Sequence, residues 1–210
     1  MKPASRIARR HAPSGRDLQR AETRQRIYAA ALTIFRRDGV AGARIEDIVR
    51  AAEVSHGTFY FHFATKDDVL AQLLAESSER VAQAVRRLSP RASLEAHLRS
   101  VCGAMAKEWQ NDPALLPAVG TVALRQSAEQ RAGTGADSVR QAVGQRFVAA
   151  ARHGELSELV APELLAEFFL MTMFSAALAW CAHPMMPLDQ VLQGVATLFL
   201  NGARPQAKKR

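Results

Sequence analysis

Apolar residues recur three and four positions apart almost from end to end of this chain, and nowhere do they alternate with polar ones in strand fashion. That spacing matches the 3.6-residue helical period, and β-branched residues are too sparse to argue for a sheet. The predicted fold is all-α. A first helix is expected over about 17–38, where Ile27, Ala30, Ala31, Ile34 and Phe35 make one stripe and Gly39 supplies the stop. A short helix over 45–52 repeats the pattern with Ile45, Ile48, Val49 and Ala52. After a turn at Glu53-Val54, Ser55 caps a third helix over 56–62, and Thr65-Lys66-Asp67-Asp68 is the start signal of a fourth, which runs to about Leu88. Longer helices rich in alanine and leucine are predicted over 92–111, 113–131, 136–153, 162–182 and 187–202. They are separated at Asp112-Pro113, Gly133-Thr134-Gly135, Gly154 with Pro162, and His183-Pro184.

Charge divides the chain. Residues 1–66 hold 13 Lys/Arg against 6 Asp/Glu, residues 69–203 are nearly neutral, and 204–210 add four more positive charges. One third of the molecule is therefore suited to meet a polyanion and the remainder is not. With 210 residues, 48% of them hydrophobic, the chain can bury a core and is not a disordered segment. Its two cysteines, Cys102 and Cys181, form no disulfide framework or zinc site and are expected to be buried thiols in a reducing compartment. The N-terminal 17 residues lack the apolar stretch of a secretory signal. The longest apolar run, Phe168 to Ala182, is 15 residues against the ~20 that span a bilayer. The expectation is a soluble cytoplasmic protein with no membrane association.

Three short helices, the last two joined by a tight turn, are the layout of a helix-turn-helix unit. Its third helix must pack one side inward and lay small or polar groups against a DNA groove, while the flanks hold phosphates. The stretch from Val54 to Phe63 meets these demands. Val54, Phe59 and Phe63 can pack inward. Gly57 lets the backbone approach base edges, and Thr58 offers both a hydroxyl and a methyl. Tyr60 and His62 can donate to phosphate oxygens, and Lys66 sits at a helix N-terminus, where anions are favoured.

These residues resemble the TetR family of bacterial one-component regulators. The similarity rests on Ala52-Glu53-Val54-Ser55, Gly57-Thr58-Phe59-Tyr60, His62-Phe63, Lys66 and Leu70, with Gly39 and Ile45-Glu46-Asp47-Ile48 upstream. The resemblance implies a basic arm over 1–16, a DNA-binding domain over 17–66, a helical effector-binding and dimerisation domain over 67–203, and a basic tail over 204–210. It implies that Ser55 starts the recognition helix, that His56, Gly57, Thr58 and Phe61 face bases, and that Arg44, Tyr60, His62 and Lys66 face phosphates. The sequence departs from the family at Glu53, where glycine is usual in the turn, and at Ala43-Arg44, where a Ser/Thr pair usually caps the second helix. Arg6, Arg9 and Arg10 are placed to reach a neighbouring minor groove or simply to add nonspecific affinity.

In the same resemblance the last two helices form a four-helix dimer interface, here through Phe168, Met171, Phe174, Leu178, Val191, Val195 and Leu198. Met105, Trp109, Leu124 and Phe147 would line a cavity for a small hydrophobic or aromatic effector. The implied partners are double-stranded DNA carrying a palindromic operator, the effector, and a second copy of the chain. The expected activity is ligand-responsive transcription regulation, with repression the default. The sequence contains no nucleophile elbow, phosphate-cradling loop, HExxH or histidine metal spacing, so no catalysis, cofactor or metal is expected. Two other readings remain open at this level: a helical enzyme or carrier, and an architectural protein that binds DNA through charge alone.

Overall fold

The computed structural model describes residues 14–89, 91–110, 112–130 and 138–203, excepting the side chains of 127–130. The basic arm with Arg6, Arg9 and Arg10, the Gly133-Thr134-Gly135 loop and the basic tail lie outside the described residues. Among the described residues there are helices and no strands: α1 Gly15–Gly42, α2 Ile45–Ala51, α3 His56–His62, α4 Lys66–Arg86, α5 Leu94–Trp109, α6 Leu116–Gln130 after a 3₁₀ turn at Pro113–Leu115, α7 Ser138–Arg152, α8 Pro162–Ala182 and α9 Leu188–Ala203. The chain divides into two compact units, Met1–Thr65 and Lys66–Arg210.

The first unit is organised by local signals. Ser14 and Asp17 form a reciprocal capping box that starts α1 two residues before the predicted point. Gly39 breaks the helix with φ 71°, a left-handed conformation that costs glycine nothing. Ile27, Ala31, Ile34 and Phe35 are buried along the predicted stripe, with Ile48, Val49 and Ala52 from α2 and Phe59 and Phe63 from α3 and its end. Ala30 is only half-buried, at the edge of the stripe. α1 packs on α2, and α2 on α3.

Both departures at the turn have structural counterparts. Arg44 precedes α2 without a side-chain cap. Glu53 adopts φ 53° and is the only described non-glycine residue with positive φ. A left-handed residue with a Cβ costs about 1–2 kcal/mol, and asparagine tolerates this region better than glutamate.

In the second unit α4 packs against α5, α6 and α7, and α8 against α6, α7 and α9, while α5 and α9 also pair. The centre between α7, α8 and α9 is an aromatic trio: Phe147, Phe169 and Phe199 have ring centroids 5.4–6.3 Å apart, two of the three pairs edge-on. Phe147 is wholly buried here. α8 occupies the predicted span, 162–182. Its 21 residues are continuous, and by length and composition it could cross a membrane. Its contacts on three neighbouring helices account for part of that apolar surface.

The turn strain yields a prediction. Glu53→Asn should raise the stability of the folded chain by about 0.5–1 kcal/mol through relief at the left-handed position. Equilibrium unfolding in urea, followed by helical circular dichroism, measures this directly.

Candidate DNA-binding surface and effector cavity

α3 is seven residues long, too short to persist without tertiary support. Three contacts supply it. Ser55 caps the N-terminus by accepting from the Thr58 amide at 3.1 Å. Phe59 is fully buried, and Phe63, ring centroid 6.2 Å away, is nearly so. At the C-terminal end the Arg24 guanidinium of α1 lies 4.0 Å above the Phe63 ring and donates to the His62 carbonyl.

With Phe59 inward, the opposite edge of α3 is open. His56, Gly57, Tyr60 and Phe61 are exposed, Phe61 at 64%, while Thr58 is half-buried. A Cβ built on Gly57 would meet only Ser55 Oγ, at 3.8 Å, so the backbone there is approachable. The Thr58 and Ser55 hydroxyls are 2.9 Å apart, which holds the Thr58 rotamer in place. Arg20 of α1 stacks 4.8 Å over the Phe61 ring, adding positive charge beside the exposed edge. His56 Nε2 lies 3.6 Å from Glu46 Oε1 of α2, and both side chains are exposed. The Glu46 carboxyl is held below its ordinary range, first by a backbone amide and then by His56. A carboxylate thus sits at this edge, able to accept from a cytosine amino group and repelled by phosphate.

Arg44 and Tyr60 are exposed, whereas His62 is half-buried. Burial, followed by the charges of Arg20 and Arg24, lowers the His62 pKa below its ordinary value, so its imidazole is neutral near neutral pH. Lys66 is the first residue of α4, in the second unit.

The second unit contains a cavity of about 270 Å³. Met105, Trp109 and Leu124 line it, together with Met171, Met173 and Phe174. Phe147 does not: it is committed to the aromatic trio, because its position on α7 faces α8 and α9 rather than the opening. The polar part of the lining includes Ser77, Ser78, Gln126, Ser138 and the ion pair Arg140–Glu167.

Residues 27–73 match the family described as "Bacterial regulatory proteins, tetR family". These residues thus carry a TetR-family DNA-binding domain. It is 48% identical over 54 residues to the HTH-type transcriptional regulator SrpR of Pseudomonas putida, an alignment covering 26% of this chain and 25% of SrpR. The chain thus spans about a quarter of that relative's length. Likeness of fold extends much further. Thermus thermophilus FadR, a TetR-family repressor solved with lauroyl-CoA, superposes with a TM-score of 0.70 at 23% identity over 89% of this chain and 98% of FadR. RolR, solved with resorcinol, gives 0.65 at 18% identity over 90% and 91%.

The outer face of the last two helices differs in part from the sequence reading. Phe168, Met171 and Leu198 are exposed, with Leu164 beside them, and Val191 and Val195 are half-buried. Phe174 and Leu178 turn instead toward α6. A Cβ on Gly120 would lie 2.6 Å from the Phe174 ring and 3.5 Å from Leu178, so both side chains rest on the space that glycine leaves. Phe174 is about 120° around the helix from Phe168, which is why one apolar run serves two different surfaces. Sequence reasoning missed Arg20, Arg24, Glu46, Gly120 and the Arg140–Glu167 pair. The i, i+4 spacing of Arg20 and Arg24 was a visible signal, but their partners lie some 40 positions away.

Cys102 is buried, and desolvation pushes its thiol up to about 12, so it is unreactive. Cys181 departs from the expected burial, being half-exposed at the end of α8 with Sγ 3.8 Å from the Pro113 carbonyl.

Two predictions arise. Gly120→Ala should destabilise the second unit by about 1–3 kcal/mol through the clash with Phe174. In a double-mutant cycle, Phe174→Leu should recover most of that loss, read by thermal unfolding. Second, the lowered His62 pKa means that the folded chain holds the neutral imidazole. This favours the fold fully above the ordinary histidine value of 6.5 and less as pH falls through and below it. His62→Gln should flatten stability measured between about pH 5 and 7.

Proposed function

We propose that this chain is a ligand-responsive transcriptional regulator, acting as a repressor that binds a palindromic operator as a homodimer and is released by a small effector. The observation that carries this reading is the two-faced α3: Phe59 is fully buried, while His56, Gly57, Tyr60 and Phe61 line an exposed edge. His56, Gly57, Thr58 and Phe61 would read bases. Arg44, Tyr60, His62 and Lys66 would hold phosphates, and Ser55 would cap the helix. Dimerisation would use Phe168, Met171, Phe174, Leu178, Val191, Val195 and Leu198, of which Phe168, Met171 and Leu198 are exposed while Phe174 and Leu178 also rest on α6. A two-fold dimer places two recognition helices one DNA turn, ~34 Å, apart.

The effector would occupy the cavity lined by Met105, Trp109 and Leu124. An effector that binds better to a form whose recognition helices are mis-spaced lowers operator affinity in proportion to that preference. Support for ligand control comes from FadR with lauroyl-CoA and RolR with resorcinol, which share the fold. The protein would work in the cytoplasm, without catalysis and without a cofactor.

Selection of bound sequences from random duplex tests the reading. A palindrome with half-sites one helical turn apart is expected, whereas retention of arbitrary duplex would indicate an architectural protein. On the selected operator, Thr58→Ala should cost about 1–3 kcal/mol of discrimination at one half-site position. Lys66→Ala should weaken all duplexes alike and reduce the salt slope by about 1. Identical behaviour of the two variants would refute the assignment of base and phosphate roles.

A further inference from the structure

The cavity carries information about the chemistry of its occupant. Among the described residues, the charged groups of its lining are Arg140 of α7 and Glu167 of α8, and these are paired with each other. The formal charge of this described lining is therefore zero. A ligand bringing its own charge would leave water for a site without a net countercharge, and desolvation would oppose it. The pair nonetheless offers a cationic donor and an anionic acceptor at adjacent points, the pattern that a hydroxyl group answers. A hydroxyl donates through O–H and accepts through oxygen, whereas a carboxylate only accepts and a ketone leaves Glu167 unaddressed.

The remaining wall is apolar and in part aromatic. Trp109 and Phe174 present rings, and Met105, Met171 and Met173 present thioethers, which pack favourably against aromatic edges. The volume of about 270 Å³ lies at the small end of ligand sites. It corresponds to roughly nine water volumes, enough for a ligand of about ten non-hydrogen atoms.

We propose that the cavity takes a neutral, single-ring aromatic molecule bearing a hydroxyl, whose oxygen donates to Glu167 and accepts from Arg140. This rests on the effector-cavity reading above and specifies its ligand. The ion pair acts as a charge filter: it satisfies a phenolic hydroxyl and rejects the corresponding carboxylate.

The test uses the full chain and two probes of the same shape, 4-tert-butylphenol and 4-tert-butylbenzoate, with binding measured by calorimetry at neutral pH. Wild type should bind the phenol at least about tenfold more tightly than the benzoate. Glu167→Gln removes the negative half of the pair and keeps its shape, so the preference should collapse or reverse toward the benzoate. Should Glu167→Gln fold poorly, the wild-type comparison alone decides. Equal affinities, tighter benzoate binding, no binding of either probe, or a folded Glu167→Gln with unchanged preference would each overturn the proposal. Operator binding is measured in parallel without probe. Intact operator binding with no probe bound sinks this inference alone, whereas absent operator binding with the phenol bound sinks the regulator reading and leaves the ligand assignment standing.

Discussion

Burial of the Phe59 ring sets what the first unit can present to a partner. A seven-residue helix has almost no intrinsic stability, so the face that α3 shows to solvent is whatever remains once Phe59 is inside. Phe63 and the Arg24 guanidinium lock the C-terminal end, and the Ser55 cap locks the start. Rotation about the helix axis would have to expose Phe59. The orientation of His56, Gly57, Thr58, Tyr60 and Phe61 is thus a by-product of core packing.

The second unit solves a different problem. α8 is apolar over most of its circumference and cannot be satisfied by one neighbour. Its surface is shared out: Phe169 enters the trio with Phe147 and Phe199, Phe174 settles on Gly120, Met173 lines the cavity, Met171 lines it while staying half-exposed, and Phe168 remains outside. The packing of one long helix therefore governs a core, a cavity wall and an uncovered apolar face. Changes at the cavity wall and at the outer face therefore act on the same helix.

Electrostatics is arranged locally in both units. Arg20 and Arg24 add positive charge beside α3 and, with burial, keep His62 neutral, while Glu46 places a carboxylate next to His56. In the cavity the charges of Arg140 and Glu167 cancel. The net positive charge of the first 66 residues is thus overlaid on single charges placed at defined points of the α3 edge.

The sequence by itself determined the helices and singled out α3 as the helix with one buried and one open edge. Periodicity, caps and glycine stops act over three or four residues, so α3 at 56–62, α8 at 162–182 and the break at Gly39 were legible, with errors of a few residues at the other ends. The cost of Glu53 in the turn was legible for the same reason, since backbone strain belongs to one residue. Tertiary structure alone decided which apolar residues became cavity, core or outer face. Met105, Trp109, Phe147, Phe168 and Phe174 are all large and apolar, and helical spacing says that each is buried or half-buried without saying against what. Only the docking of α7 and α8 put Phe147 in the trio, drew Phe174 onto Gly120, and brought Arg140 and Glu167 together across 27 positions of chain. Those placements depend on how helices distant in sequence interlock, a property that no local pattern encodes.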